Sequence, residues 1–106
     1  MKRSIKPATK AQRARQAAQR EWGCICCYLD GYPGQPAETH HMNDCGRNIS
    51  QDHTLPICAW HHRGIHEGPC IGPSLANSKR EFVGRYGTEE ELRKMINELT
   101  GYSNAA

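Results

Sequence analysis

All six cysteines and all six histidines of this 106-residue chain fall between Cys24 and Cys70. No other feature constrains the fold as strongly. Only 37% of the residues are hydrophobic, with one Phe and two Trp, so the core must be thin. Domains of this size with so little apolar volume commonly need a disulfide or a metal as a staple. The basic N-terminus is followed by no apolar stretch, so no signal peptide is expected. No run approaches the ~18 apolar residues of a membrane span. A cytoplasmic, reducing location follows, in which the cysteines serve as thiolate ligands rather than disulfides.

Zinc favours four Cys or His ligands arriving as two short-spaced pairs. Cys24 and Cys27 are one such pair, and Cys58 and His61 are the other. The spacing predicts a structural Zn2+ on Cys24, Cys27, Cys58 and His61, one turn in a loop and the other opening a helix. Cys26 is a cramped substitute for Cys27. If His61 stays unligated, Cys45 or Cys70 becomes the fourth ligand. The role of the ion is to staple the N-terminal turn onto the helix that carries His62.

Between these anchors the chain reads as short elements. Thr9–Trp22, rich in Ala, Gln and Arg, predicts a solvent-exposed helix with little apolar face, ordered on DNA or a partner and ended by Gly23. Residues 30–36 are turn chemistry throughout. Residues 37–42 form a short strand delivering His40 and His41, and 43–52 form a polar loop. Leu55–Ile57 is a second strand, followed by a helix over 59–67 stopped by Gly68 and Pro69. Ser78 with Glu81 has capping-box form, opening a helix from Lys79 to near Gly87. Thr88 with Glu91 repeats the signature, and Leu92, Met95, Ile96 and Leu99 follow at helical spacing as a core stripe ahead of Gly101.

The remaining histidines suit a second, open site. His62 and His66 are four apart on the expected helix and share a face. His40 and His41 are neighbours on a strand and point to opposite sides. One of the two can therefore join His62 and His66 on an ion while the other works beside it. Three imidazoles leave positions for water and substrate, as Lewis-acid chemistry requires.

Charge is distributed unevenly. Residues 1–22 carry seven basic side chains, among them Arg13, Arg15 and Arg20, against Glu21 alone. Their net charge of +6 leaves −3 for the rest of a chain that totals +3. A basic arm on a mildly acidic body is a footprint for the phosphate backbone of DNA. Arg63, beside His62, is a further candidate for gripping phosphate.

The double His ending a strand, the segment Leu55-Pro56-Ile57-Cys58-Ala59-Trp60-His61-His62 and the paired Cys24 and Cys27 resemble the HNH endonucleases of the ββα-metal, treble-clef type. The run Cys24–Gly31, the Thr39-His40-His41 strand and Lys79-Arg80-Glu81-Phe82 are similar to the phage recombination-enhancement (Ref) nucleases. The resemblance covers about residues 22–92. It implies an α+β fold: a small zinc-stapled treble-clef domain with flanking helices. On that reading residues 1–22 are a basic arm or helix, and 23–106 are the nuclease domain with its C-terminal helices.

By the same resemblance His41 is the general base, and His40 and His62 are ligands of a catalytic metal (Mg2+, Mn2+ or Zn2+). His66 matches a further helical ligand of colicin-type enzymes. His53 stands where the motif has Asn and would orient the base, with Asn43 or Asn48 as substitutes. The activity implied is metal-dependent hydrolysis of DNA phosphodiester bonds, directed by a RecA-type recombinase filament. The rival expectation is a non-catalytic, zinc-stabilised DNA-binding module, which needs only the closed site. A redox or metal-storage role for Cys26, Cys45 and Cys70 lacks coherent spacing, and free Cys is most often a small buried hydrophobe.

Overall fold

The computed structural model describes residues 6–44, 47–65 and 70–102. Among them the elements run α1 (Lys10–Trp22), α2 (Ile25–Leu29), β1 (Glu38–His41), β2 (Asn43–Asp44), β3 (Arg47–Asn48), β4 (Thr54–Ile57), α3 (Ala59–Arg63), α4 (Leu75–Tyr86) and α5 (Glu89–Thr100). β1 and β4 pair antiparallel, with His40 opposite Leu55 and His41 opposite Thr54. β2 and β3 pair antiparallel inside the stretch expected to be loop. Among the described residues no helix is long and apolar enough to cross a membrane.

All four residues of β4 are buried, because α1, α2 and α5 all pack against it. Pro56 has no N–H to give a ladder and sits opposite Thr39 in a two-stranded sheet, where both strands are edges. Ile25, Leu55, Ile57, Phe82, Leu92 and Ile96 are fully buried and make the core. The thiols of Cys24, Cys26, Cys27 and Cys58 join the same cluster. The core and these thiols are thus one continuous body.

α1 differs from the expectation of an exposed helix awaiting DNA. Its N-terminus carries a capping box in which Thr9 Oγ1 accepts from the Gln12 N–H and Gln12 Oε1 accepts from the Thr9 N–H. Its inner face docks through polar groups. Gln19 is fully buried, accepting from Thr54 Oγ1 at 2.9 Å. Gln16 Nε2 donates to the Gln51 carbonyl at 2.8 Å, and Arg15 donates to the carbonyls of Gln51 and Asp52. A helix short of apolar residues is held here by amides and a guanidinium that satisfy the backbone of the loop beneath it. Hydrophobic periodicity cannot register such a face.

Other boundaries also moved. α4 begins one turn early on a Ser74 cap, and Ser78 marks a kink with φ −152° and ψ 60°. α5 starts on the Thr88–Glu91 capping box as expected, and Leu92 and Ile96 are buried. Leu99 is 41% exposed and leaves the core stripe, while Arg93 and Asn97 on a neighbouring face are buried. The reason is α1, which lies against α5 as well as β4 and brings the Arg15 charge within reach of Arg93.

α3 ends at Arg63, earlier than expected, because Gly64 adopts a left-handed conformation at φ 73°. A Cβ there would stand 2.3 Å from Asn77 Nδ2 and displace that side chain, and the left-handed backbone itself favours glycine. His66 and Cys45 lie outside the described residues.

Candidate metal cluster and imidazole cleft

Two short helices present the closed cluster. Cys24 and Cys58 are the N-caps of α2 and α3, and each Sγ accepts from the backbone N–H three residues on, at Cys27 and His61. The N-terminal turns therefore hold each ligand pair in place. A tetrahedral ion about 2.3 Å from sulfur and 2.0–2.1 Å from nitrogen separates its ligand atoms by about 3.6–3.8 Å. Here His61 Nδ1 lies 3.6 Å from Cys27 Sγ and 3.7 Å from Cys24 Sγ, and Cys27 Sγ lies 3.8 Å from Cys58 Sγ. The Cys58–His61 separation is tighter, at 3.1 Å. All four donors fall within 4.8 Å of one another and can hold a metal ion.

The surroundings suit a cation. His61 Nε2–H donates to the Ile71 carbonyl at 2.7 Å, which leaves Nδ1 as the nitrogen facing the thiols. Tyr86 Oη, 2.9 Å from the same nitrogen, donates to Asp30 Oδ2, and Arg85 closes the chain on Asp30 Oδ1. Outer carboxylates and carbonyls of this kind fix a ligating imidazole. Hydrogen bonds from Cys26, Cys27 and Cys58 draw the Cys24 thiol strongly down. Burial works against charge on His61, but the Cys24 and Cys58 sulfurs outweigh it and hold the imidazole up at about 10. Without an ion, a proton on His61 thus offsets the lowered Cys24 thiol in the place a cation would take.

The alternative ligands are also placed. Cys26 is buried and outside the four-donor group. Cys70, buried, has its Sγ 3.2 Å from Cys27 and 3.1 Å from Cys58, on the flank of the cluster. The five described cysteines form no disulfide.

A second feature opens on the other side of α3. β1 and α3 bring His40 and His62 to a ring-centroid separation of 4.9 Å with the planes 70° apart. Both line a polar cleft of about 510 Å³ together with His41, Asn43, Asn48, Lys79 and Glu89. Each imidazole has a partner that sets its orientation. His41 Nε2–H donates to Gln51 Oε1 at 2.8 Å, leaving Nδ1 basic. His62 Nδ1 bonds Glu38 Oε1 at 2.9 Å, and His40 Nε2 bonds Glu89 Oε1 at 2.7 Å. Burial lowers the pKa of His62, with the Glu38 bond opposing it, which favours a neutral ring. Glu38 is held low first by its bond from Arg63, and Glu89 first by its bond to His40.

The other residues singled out in the sequence fall into distinct places. His53 Nδ1 pairs with Ser50 Oγ at 2.7 Å, and Gln51 stands at His41 where His53 was expected to act. Arg63 forks onto Glu38. Arg20 reaches Thr39 Oγ1, at the rim of the cleft, while Arg13 is exposed and bonds the Ala8 carbonyl. Arg15 is buried beneath α1. Among the described residues, the donor group within 4.8 Å is the closed one, so His40 and His62 meet without a third ligand already in place.

Gln51, Glu38 and Glu89 were missed by the sequence reading. Glu38 was within reach of it, since strand alternation puts residues 38 and 40 on one face. Glu89 arrives from the first turn of a helix far along the chain, and nothing local announces it.

Fold and site define a small α+β domain in which a Cys/His cluster able to hold a metal ion lies beside a histidine-lined cleft. The chain matches, over residues 8–100, the family described as recombination enhancement, RecA-dependent nuclease, and it belongs to that family. The family description points to nuclease action on DNA linked to RecA and recombination. No curated protein matches the chain.

Proposed function

We propose that the protein is an endonuclease of the HNH type that hydrolyses DNA phosphodiester bonds with His41 as general base, a metal held by His40 and His62, and targeting by a RecA filament. One observation carries the reading: His40, His41 and His62, from two remote stretches, converge on one polar cleft. A purely stapled binding module would need the closed cluster alone. Membership in the RecA-dependent nuclease family supports the substrate class and the recombinase link.

The residues divide the work. His41 Nδ1, freed by the bond from Nε2–H to Gln51, takes a proton from the attacking water. His62 is oriented by Glu38 so that Nε2 is left for the cleft. A divalent ion held by His40 and His62 would supply positive charge for the scissile phosphate and the leaving oxygen. Lys79, on the cleft wall and 68% exposed, can meet a neighbouring phosphate. Cys24, Cys27, Cys58 and His61 are assigned to a structural Zn2+ that fixes α3, and with it His62.

The test is nicking of supercoiled plasmid with Mg2+ or Mn2+, with and without a RecA filament. His41→Ala should lower the rate by about 10²–10⁴-fold while zinc content and the thermal transition stay unchanged. Equal rates for wild type and His41→Ala under both conditions would leave the binding-module reading in its place.

A further inference from the structure

We propose that Glu89 is an oxygen ligand of the cleft metal, sharing the ion with His40. The proposal rests on the nuclease reading above, because it concerns the same ion. Two imidazoles are a poor set for a hard ion such as Mg2+ or Mn2+, which prefers oxygen donors. Glu89 is the carboxylate that lines the cleft with His40 and His62. Its side chain is 16% exposed, and Oε1 lies 2.7 Å from His40 Nε2. Ligands on adjacent vertices of an octahedron with bonds of about 2.1 Å stand about 3.0 Å apart. The separation is within a few tenths of an ångström of a chelating pair, and His40 Nε2 and Glu89 Oε1 would turn from facing each other to facing the ion.

The local electrostatics agree. Glu89 is the first residue of α5, where the helix dipole favours the carboxylate form. Oε2 lies 3.7 Å from Lys79 Nζ, a long pair whose exposed lysine can be released to substrate phosphate. Glu38, the other carboxylate near the cleft, is committed to His62 and Arg63 and is not among the residues lining it. The assignment makes α5 part of the active centre rather than only a lid on the core.

Direct ligation differs from positioning of His40 in one respect: the distance from the ion to the carboxyl carbon. The zinc-loaded protein, labelled with [13C-carboxyl]glutamate, is titrated with Mn2+ and read by electron–nuclear double resonance. A bound carboxylate gives a strong 13C coupling at about 3 Å from the ion, and that signal should vanish in Glu89→Gln. Mn2+ affinity should fall at least about tenfold in the same variant. Should Glu89→Gln fold poorly, Glu89→Asp retains the charge but carries no label, so the 13C coupling should vanish there as well while Mn2+ binding is kept in part.

A wild-type protein that binds Mn2+ with no short-range 13C coupling overturns the proposal, as does one that binds no Mn2+ beyond its zinc. Coupling that persists in Glu89→Gln assigns the ligand to another glutamate and overturns it as well. Coupling at Glu89 in a protein that never nicks DNA would instead sustain the ligand and remove the nuclease reading.

Discussion

A single charged residue on α1 shows how little composition says about role. Arg13, Arg15 and Arg20 are equivalent in sequence as members of a basic arm, yet Arg15 is 7% exposed, and burial lowers its pKa despite Asp52. Charge-assisted hydrogen bonds of this sort contribute about 1.5–3 kcal/mol. Arg15→Ala should therefore cost stability of that order in urea denaturation. Arg13→Ala should leave stability within about 0.5 kcal/mol and reduce the salt slope of DNA binding by about one ion. Equal stability losses from both substitutions would show that the guanidinium beneath α1 is not holding the helix. The closed set behaved differently, because its spacing carried the grouping, whereas spacing left open which of His40 and His41 would meet His62. Four residues at metal-ligand intervals came together as a cluster, and His40 met His62 across the cleft. What spacing could not supply was the partner of each ring. Gln51 stands at His41 through a loop conformation that no short-range pattern encodes.

Elements were legible where a local signal set their ends and obscure where tertiary contact did. The Thr88–Glu91 capping box fixed the start of α5, and it closes in both directions, with Thr88 N–H donating to Glu91 Oε1 and Glu91 N–H to Thr88 Oγ1. Thr9 with Gln12 does the same for α1, a helix expected over these residues, whose docked face stayed hidden because it is polar. α4 was placed a turn late, since Ser78 resembles a cap but is a kink within a helix already begun at Ser74. Thr88→Ala removes the cap of the helix whose first residue, Glu89, faces His40. It should lower stability by about 1 kcal/mol, read by chemical denaturation. Nicking should fall further than that loss alone explains, because the first turn of α5 frays at the cleft. A Thr9→Ala variant of similar cost serves as the control, with its cap remote from Glu89. If both substitutions depress nicking equally, the first turn of α5 has no special part in the reaction.

At the scale of the molecule, the two sites share α3 and are mechanically one. Cys58 and His61 at the start of that helix belong to the cluster, and His62 beside them faces the cleft, so the cluster fixes the angle at which His62 enters. The energy at stake is large against the whole. A domain of this size has a net stability of about 5–15 kcal/mol, while structural zinc contributes about 10–16 kcal/mol in small finger peptides. With Cys24, Cys27 and Cys58 inside the hydrophobic cluster and His61 fully buried beside them, removing the ion would leave buried polar groups without the partner that binds them together. Strong chelation at neutral pH should therefore abolish the cooperative thermal transition, and one equivalent of Zn2+ should restore it. Acid should act in the same direction. Protons compete for Cys and His, so zinc occupancy and the transition should be lost together as the pH falls. Cys58→Ala should reproduce the chelated state, because it removes both a ligand and the N-cap of α3. A metal-free protein that melts cooperatively within a few degrees of the zinc form would mean that the apolar core of Ile25, Leu55, Ile57 and Phe82 suffices alone. The cleft histidines would then owe their geometry to packing rather than to the ion.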